Sequence, residues 1–433
     1  MYVESVRLEN FKCFANQTYE FAKQFTLLVG DNGKGKTSIL DGLSVGLGSL
    51  FLGFPEPAKQ RSIERQEVRF KFFEQGEITT AEKQFPAKVT CKGNVFDANG
   101  EWTRELTSAE GRTTRQDASW IKDKADAVHT KVQNGDPVVL PVVSYYGTGR
   151  LWKQIRDRPV EVVGPNSRFM GYLDCLNPAS DAKRLIEWFK TQEMAAIQRG
   201  IKLKTLEACR QAIIACVPGA EKVYFDVGED QLKLDINGES LPFDYLSDGY
   251  RNALAMVADI AVRAATLNPS LEADAVLKTP GVVLIDEIDL HLHPKWQRQV
   301  VDDLISAFPC IQFIATTHSP FVIQSLPNRP HVRLLNLDDE EADEYVNMSV
   351  EDITENVQGV DIPQRSQRYR EMMEAAEKYY SVLRDANGAT PERVEELKQR
   401  LDKLSLPFSD DPAYQAFLRS QRIAAGIDDQ EGE

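Results

Sequence analysis

Short apolar runs alternate with segments of helical periodicity along this chain. Three predominantly apolar runs bounded by turn residues stand out, namely Phe25–Val29, Val138–Tyr145 and Val282–Ile285. Such runs are typical of strands buried on both faces of a parallel sheet. Apolar residues then recur at three- and four-residue spacing between Ile39 and Leu47 and between Trp296 and Phe308. The alternation predicts an α/β fold around a central, mostly parallel sheet.

The segment between the first apolar run, Phe25–Val29, and the last, Val282–Ile285, predicts smaller structural units beside this sheet. Val68–Phe73 and Lys88–Phe96 read as strands of an antiparallel β subdomain, whereas residues 101–135 are polar and without periodicity, which predicts a surface excursion. Ile186–Ile197 and Leu203–Ile214 predict two helices that form a short helical insertion, a lever or lid. Sustained heptads are missing, so long coiled-coil arms are excluded.

The tail predicts a C-terminal helical hairpin. The Asn387-Gly388 stop signal ends a first helix, and a second helix begins at Thr390-Pro391. The first helix carries an apolar face rich in tyrosine and methionine, formed by Tyr369, Met372, Met373, Ala376, Tyr379, Tyr380 and Leu383. This face either packs on the protein's own main domain, as amphipathic helices commonly bury their apolar side, or docks another subunit.

These patterns divide the chain into five segments. We expect an N-terminal lobe at residues 1–85, a β-rich excursion at 86–180 and a helical insertion with linking strands at 181–240. A C-terminal lobe at 241–335 and a helical tail at 336–433 should follow.

Composition narrows the class of protein. The 433 residues carry a formal net charge of −15, which argues against a protein that coats nucleic acid, although a local basic groove across a dimer would still allow nucleic acid contact. No apolar run approaches the ~20 residues that span a bilayer, and no signal peptide is recognisable. The six cysteines are scattered, as in a reduced cytoplasmic protein. We expect a cytoplasmic location without a membrane partner.

A glycine-rich loop follows the first buried strand. Residues 30–37 match the pattern G-x-x-x-x-G-K-T between a strand and a helix, the arrangement that aims backbone N–H groups at phosphates. Lys36 supplies a charge to the β- and γ-phosphates of ATP, and the Thr37 hydroxyl is a ligand for Mg²⁺. The predicted phosphate-binding residues are Asn32, Gly33, Lys34, Gly35, Lys36, Thr37 and Ser38.

Two acidic residues end the third apolar run. Ligands bind at the carboxyl ends of the strands in parallel sheets, so Asp286 and Glu287 are expected to face the nucleotide. Asp286 is predicted to hold Mg²⁺, as acidic residues in this position do. Glu287 is predicted to orient and deprotonate the attacking water.

A third motif, Leu246-Ser247-Asp248-Gly249-Tyr250, precedes a helix. Ser247 and Gly249 at a helix start either cap the helix or offer a hydroxyl and bare N–H groups to an anion. The position just before the acidic strand favours the anion site.

In this order the motifs resemble the ABC-type P-loop ATPase heads of the SMC, RecF and OLD group. The opening Val6–Phe14 is similar to the N-terminal strand of that group, which implies that Lys12 reaches the nucleotide phosphates. The resemblance makes residues 246–250 the signature, which acts on nucleotide held by another subunit, although its third and fifth residues depart from Leu-Ser-Gly-Gly-Gln. It also makes Asp289 the D-loop aspartate and His318 the switch histidine, which join Glu287 as catalytic residues.

Two further residues are weaker candidates. Arg150 follows the strand that ends in Tyr146-Gly147-Thr148-Gly149, and it either contacts nucleotide or pairs with a nearby carboxylate. Gln66 is a candidate for the metal-sensing glutamine of ABC heads, although its local match is poor.

The architecture resembles the PtuA-type ATPases of bacterial anti-phage systems such as Septu. That resemblance implies a homodimer or higher oligomer and a separate nuclease subunit, of HNH type or, as in PARIS-type systems, Toprim type. A RecF-like DNA repair ATPase that binds DNA directly is the alternative. A transporter ATPase is disfavoured by the long gap between residues 36 and 247.

Overall fold

The computed structural model describes residues 1–75, 78–151, 167–178, 182–338, 348–360, 366–384, 391–408 and 412–424. They form two compact units, Met1–Ile353 and Thr354–Glu433.

All the strands of the described residues lie in the first unit. They are β1 (Tyr2–Phe11), β2 (Phe14–Glu20), β3 (Phe25–Val29), β4 (Phe70–Gln75), β5 (Ile78–Lys83), β6 (Ala87–Val95), β7 (Ala98–Leu106), β8 (Val142–Tyr146), β9 (Ala220–Asp226), β10 (Gln231–Ile236), β11 (Glu239–Pro242), β12 (Gly281–Ile285), β13 (Ile311–Thr316) and β14 (Val332–Asn336).

The helices run through both units. They are α1 (Lys36–Leu47), α2 (Ser119–Gln133), α3 (Ala182–Arg199), α4 (Lys204–Cys216), α5 (Asp248–Leu267), α6 (Ala275–Lys278), α7 (Pro294–Gln297), α8 (Val300–Ala307), α9 (Pro320–Gln324), α10 (Val350–Asn356), α11 (Gln367–Arg384), α12 (Pro391–Ser405) and α13 (Pro412–Ala424).

A parallel five-stranded sheet forms the centre of the first unit, in the order β14-β3-β13-β12-β8. Every residue of β3, β8, β12 and β13 is buried, as their apolar sequences predict. Thr316 lies opposite Leu28, and Ala315 lies opposite Ile285. This register aligns the carboxyl ends of the three middle strands, so the residues that follow them meet at one edge. The predicted α/β fold is confirmed.

A four-stranded antiparallel sheet, β2-β1-β6-β7, packs on α1. Two glycines one helical turn apart allow the approach, because a Cβ on Gly42 would collide with Leu8 and one on Gly46 with Cys91. The Trp102 indole closes the contact by donating to the Gly46 carbonyl at 2.9 Å. The predicted antiparallel subdomain is therefore present, with the predicted strand Lys88–Phe96 in it as β6. The predicted strand Val68–Phe73 lies elsewhere, because β4 pairs with β5 in a separate two-stranded antiparallel sheet.

The predicted surface excursion over residues 101–135 is wrong. Its first residues continue β7, and α2 occupies 119–133. Ile121, Ala125 and Val128 give α2 a narrow buried stripe, and Trp120 stacks on Trp102 of β7 at 5.9 Å between ring centroids. Three apolar residues among many polar ones are too sparse a periodicity to recognise without that neighbouring strand.

The two inserted helices are present, as α3 and α4, but α4 does not protrude as a lid. Leu206, Cys209, Ala212 and Ile213 are buried, and the helix packs against α5 and α8. The helix α4 is therefore part of the core of the first unit.

The tail unit contains three described helices, because α13 joins the predicted hairpin of α11 and α12. Its core consists of residues from all three, namely Tyr369, Met372, Ala375, Ala376, Tyr380, Leu401 and Tyr414. The prediction that this face docks a partner is therefore wrong for Met372 and Tyr380, because both side chains are buried within the tail itself. Asn387-Gly388 lies outside the described residues.

Among the helices described, none is long and apolar enough to cross a membrane.

Candidate nucleotide site

The glycine-rich loop joins β3 to the first turn of α1. Gly30, Gly33 and Gly35 have φ values of 141°, 88° and 98°, a region that residues with a Cβ rarely adopt. Gly35 is the N-cap of α1, and a Cβ there would also collide with the side chains of Cys13 and Phe14. Asn32, Gly33 and Lys34 are exposed on the loop, and Ser38 is half-buried in the first helical turn. The sequence therefore folds locally into a strand, a loop and a helix N-terminus suited to phosphate.

Lys36 lies beneath the loop with only 7% of its surface exposed. Its ammonium group donates to the carbonyl oxygens of Gly30 at 2.5 Å and Asp31 at 3.1 Å. Burial lowers the pKa of Lys36, while nearby carboxylates including Asp338 and Asp286 act in the opposite direction. The loop carbonyls thus hold the Lys36 ammonium group beneath the loop that is expected to bind the phosphate oxygens.

Thr37 meets the acidic strand end at this edge. Its hydroxyl donates to the two carboxylate oxygens of Asp286 at 3.0 and 3.2 Å. Asp286 is only 4% exposed. A hydroxyl and a carboxylate that converge in this way are oxygen ligands of the kind Mg²⁺ uses beside substrate phosphates. The pair fits the ion, and no cluster of three or more His, Cys, Asp or Glu side chains elsewhere in the described chain offers a competing metal site.

Thr316, at the end of β13, is a site residue to which the sequence reasoning, although it singled out the segment around His318, assigned no role. Its hydroxyl donates to Asp286 Oδ1 at 2.7 Å and accepts from the backbone N–H of Glu287, also at 2.7 Å. Thr316 is 1% exposed. One hydroxyl therefore positions both acidic residues. A polar residue that ends an otherwise apolar strand was the available signal.

Glu287 and the residues after it turn sharply away from the sheet. Glu287 is half-buried and has a φ of 48°, in the left-handed region. Asp289 accepts a hydrogen bond from the Thr317 hydroxyl at 2.5 Å, and the Ser319 N–H donates to the same hydroxyl at 3.0 Å. His318, between these two residues, is exposed. The predicted D-loop aspartate is thus tied directly to the segment of the predicted switch histidine.

The signature begins α5. Ser247 is its N-cap, yet the Ser247 side chain makes no capping hydrogen bond and is exposed. A Cβ on Gly249 would lie 2.5 Å from the carbonyl oxygen of His291. Asn252, one turn later, donates to the Leu290 carbonyl at 3.0 Å. The helix start therefore packs against the chain after the acidic strand end, and the Ser247 hydroxyl is not used as a cap.

Lys12 lies in the turn between β1 and β2, with a φ of 50°. Its ammonium group is paired with the carboxylate of Asp41 on α1. Asp41 also accepts from Arg61 at 3.1 Å and from the Tyr145 hydroxyl at 3.3 Å. Burial, followed by the charges of Asp41 and Asp286, raises the pKa of Tyr145. This Asp41 network, which the sequence analysis did not identify, holds Lys12 next to the helix that carries Thr37.

Gln66 and Arg150 are the two weaker candidates. Gln66 is exposed, and its amide donates to Glu64 at 2.5 Å. Arg150 lies in a short 3-10 helix, Thr148–Leu151, and its side chain is outside the described part of the structure.

Asp338 is a second site residue that was missed. It follows β14, the strand beside β3, and its carboxylate accepts from the Asp31 N–H at 2.6 Å and from Lys34 at 2.7 Å. Although burial acts to raise it, the pKa of Asp338 is lowered by these two partners. The Asp338 carboxylate thus takes up the hydrogen bond of one backbone amide of the phosphate loop, that of Asp31.

Comparisons with known proteins agree with this geometry. A family model described as "AAA domain" matches residues 5–214, and a second AAA-domain model, whose description also names the AbiEii toxin of type IV toxin–antitoxin systems, matches 232–324. The chain is 26% identical to the Retron Ec83 probable ATPase of Escherichia coli over 76% of this chain and 70% of that protein. It is also 26% identical to Septu protein PtuA of Bacillus mycoides over 93% of this chain. The protein is an ATPase with two AAA-domain matches and similarity to Septu protein PtuA.

The chain spans half the length of that PtuA relative. Among solved structures, the SMC head domain from Thermotoga maritima aligns with 75% of this ATPase and 92% of that chain, at 16% identity and a TM-score of 0.40.

Proposed function

We propose that this ATPase binds ATP with Mg²⁺, dimerises around the nucleotide and regulates a separate effector nuclease in bacterial anti-phage defence. The observation that carries the nucleotide chemistry is the meeting of Lys36, Thr37, Asp286, Glu287 and Thr316 at one sheet edge. The defence role draws on the relatives named Septu protein PtuA and Retron Ec83 probable ATPase. The proposal also places the protein in the cytoplasm, where such a defence ATPase would act.

Within one subunit, the phosphate loop binds the triphosphate through its N–H groups, Lys36 and Lys12. Lys12 would have to exchange its partner Asp41 for phosphate oxygens. Thr37 and Asp286 would hold Mg²⁺, which when bound offsets the charge of the β- and γ-phosphates. Glu287, held through its N–H by Thr316, accepts the proton of the attacking water.

The second subunit supplies the signature in this proposal. Support comes from Ser247, whose exposed hydroxyl stands at the N-terminus of the 20-residue helix α5 without capping it. Gly249 packs on the carbonyl of His291, two residues after Asp289. Since Asp289 is bonded to Thr317, contact with nucleotide across a dimer would be passed to His318. His318 would then respond to the γ-phosphate.

A mixing experiment tests action between subunits. Lys36→Ala protein lacks the loop charge and Ser247→Arg protein lacks the signature hydroxyl, so neither homodimer should hydrolyse ATP. A verified heterodimer retains one composite site with both groups, and we expect recovered hydrolysis at about half the normal rate per dimer, since one of two sites is intact. Heterodimers that remain inactive would argue against a shared site.

The nuclease is proposed to be a separate subunit, of HNH type or, as second choice, Toprim type. In support, the residues described contain no cluster of metal-ligating side chains suited to phosphodiester cleavage. The partner would bind other residues than the buried Tyr/Met face of the tail. Nucleic acid would contact the complex and not necessarily this chain.

Expression of the chain together with its neighbouring genes tests the defence role. We expect protection against phage infection that Glu287→Gln abolishes, and no DNA or RNA cleavage by the purified chain alone. Metal-dependent cleavage by the isolated chain that survives every ATP-site substitution would refute the separate nuclease. If every loss of protection is accompanied by a defect in DNA repair, the result would instead favour the RecF-like alternative. The names of the Retron Ec83 and PtuA relatives do not favour that alternative.

A further inference from the structure

A basic cavity lies on the other side of residues 60–67 from the Asp41 network. Its volume is about 1040 Å³, and it is lined by Gln60, Ser62, Ile63, Glu64, Arg65, Gln66, Lys83, Leu106, Gly111, Arg112, Thr113 and Arg115. Four of these residues are basic and one is acidic, in a chain whose net charge is −15. A concave surface lined by one sign of charge concentrates ions of the opposite sign.

The one carboxylate of the lining is already engaged. Glu64 caps a short 3-10 helix by accepting from the N–H of Glu67, and it also accepts from the Gln66 amide at 2.5 Å. Lys83 donates to the Arg65 carbonyl at 2.6 Å. Glu64 therefore supplies one negative charge against the four positive charges of the lining, and Arg112 and Arg115 are exposed.

A buried arginine behind this wall has no counter-ion among the described residues. Arg104 is 0% exposed, and its Nε donates to the carbonyl of Thr114 at 2.9 Å, between two lining residues. Its Nη1 has no hydrogen-bond partner among the described residues, and Nη2 reaches only the Gln60 oxygen at 3.5 Å. Burial, and then the charge of Arg115, lowers the pKa of Arg104 to about 10. A buried charge without a partner is unfavourable, so an anion beside this wall would stabilise it.

We propose that this cavity is a second anion site, distinct from the phosphate loop, that binds the phosphate groups of a nucleotide or oligonucleotide. Planar guanidinium groups match phosphate oxygens with two parallel hydrogen bonds, and Arg65, Arg112 and Arg115 supply three of them. The volume of about 1040 Å³ lies just above the usual range for small-molecule pockets, about 300–1,000 Å³.

The same segment of chain connects this cavity to the ATP site. Gln60, Ser62 and Glu64 line the cavity, whereas Arg61 donates to Asp41 at 3.1 Å and to Glu67 at 2.7 Å. The Lys12 N–H donates to the Glu67 carbonyl at 2.6 Å. A ligand that shifts residues 60–67 would therefore alter the position of Lys12, and occupancy should change the ATPase rate.

Binding to Lys36→Ala protein tests the site without the charge of the phosphate loop. The probes are inorganic tripolyphosphate, followed by calorimetry, and a short fluorescein-labelled single-stranded DNA, followed by anisotropy. The test variant adds Arg112→Glu and Arg115→Glu. The matched control adds Lys398→Glu and Arg400→Glu, an equal change in charge on the exposed face of α12.

We expect at least one probe to bind, and its affinity to fall about tenfold or more in the test variant but less than about twofold in the control. Binding of tripolyphosphate alone identifies a nucleotide-sized ligand, and binding of both probes identifies an oligonucleotide. The proposal is overturned if neither probe binds, or if the test and control variants behave alike. If the test variant fails to fold, Arg112→Gln with Arg115→Gln, which should weaken binding in the same direction, replaces it.

Discussion

Thr316 offers a sharp test of how the site is held together. Replacing it with valine preserves the shape of the side chain and removes only the hydroxyl, so no cavity is created. The hydroxyl makes two hydrogen bonds, one to the Asp286 carboxylate and one from the Glu287 N–H, each 2.7 Å long. Both are lost in Thr316→Val.

The magnitude follows from these two bonds. A hydrogen bond to a charged group contributes about 1.5–3 kcal/mol, and a buried N–H left without a partner costs about 1–3 kcal/mol. Since the two losses overlap, we expect the free energy of unfolding to fall by about 2–4 kcal/mol. Displacement of Asp286 and Glu287 should also lower the ATPase rate, by about 10- to 100-fold.

Thr26→Val is the matched control. Thr26 lies on the neighbouring strand β3 and is 0% exposed, as against 1% for Thr316. Its hydroxyl accepts from the Ala22 N–H at 2.9 Å. Since Ala22 comes before the start of β3, this hydrogen bond lies at the opposite edge of the sheet from the site. We expect a stability loss of about 1 kcal/mol and an unchanged ATPase rate.

Urea unfolding and ATPase rates at a series of Mg²⁺ concentrations provide the assay. The expected pattern is a loss of rate and a raised Mg²⁺ requirement in Thr316→Val alone. If that variant hydrolyses ATP at the normal rate with the normal Mg²⁺ dependence, or if Thr26→Val loses as much rate, the positioning role of Thr316 is refuted.

Three further predictions concern the same site. Glu287→Gln should bind ATP normally but hydrolyse it about 10²–10⁴-fold more slowly, because the proton acceptor is lost; near-normal single-turnover hydrolysis would show that another group is the base. Asp338→Asn should tighten ATP binding about three- to tenfold in a fluorescence titration, because a charge that repels phosphate and competes for the loop amide is removed; weaker binding would mean that it mainly supports the loop. Gly249→Ala should destabilise the protein by about 1–3 kcal/mol and slow hydrolysis, since its Cβ would lie 2.5 Å from a backbone oxygen, whereas Gly228→Ala, with its nearest contact at 3.4 Å, should do neither. Equal unfolding midpoints for the two alanine variants would contradict that reasoning.

The sequence alone determined the parts of this protein that depend on neighbours along the chain. The strand, loop and helix around Lys36 follow from glycines with φ values that other residues rarely adopt and from apolar runs that bury on both faces. Asp286 and Glu287 could be placed at the same edge because the strands of a parallel sheet present their carboxyl ends together. The fold class and the ATPase activity were therefore predictable, while the roles of the individual site residues stay predictions.

Only the tertiary structure decided the partners of those residues. Asp338 meets Asp31 across 307 positions, and Thr316 meets Asp286 across 30, and neither spacing leaves a periodic trace in the sequence. The tyrosine and methionine face of α11 illustrates the same limit, because its amphipathic pattern shows that the face is buried but not what covers it. Periodicity reports which side of an element avoids water, whereas the group that covers that side depends on how distant segments pack together.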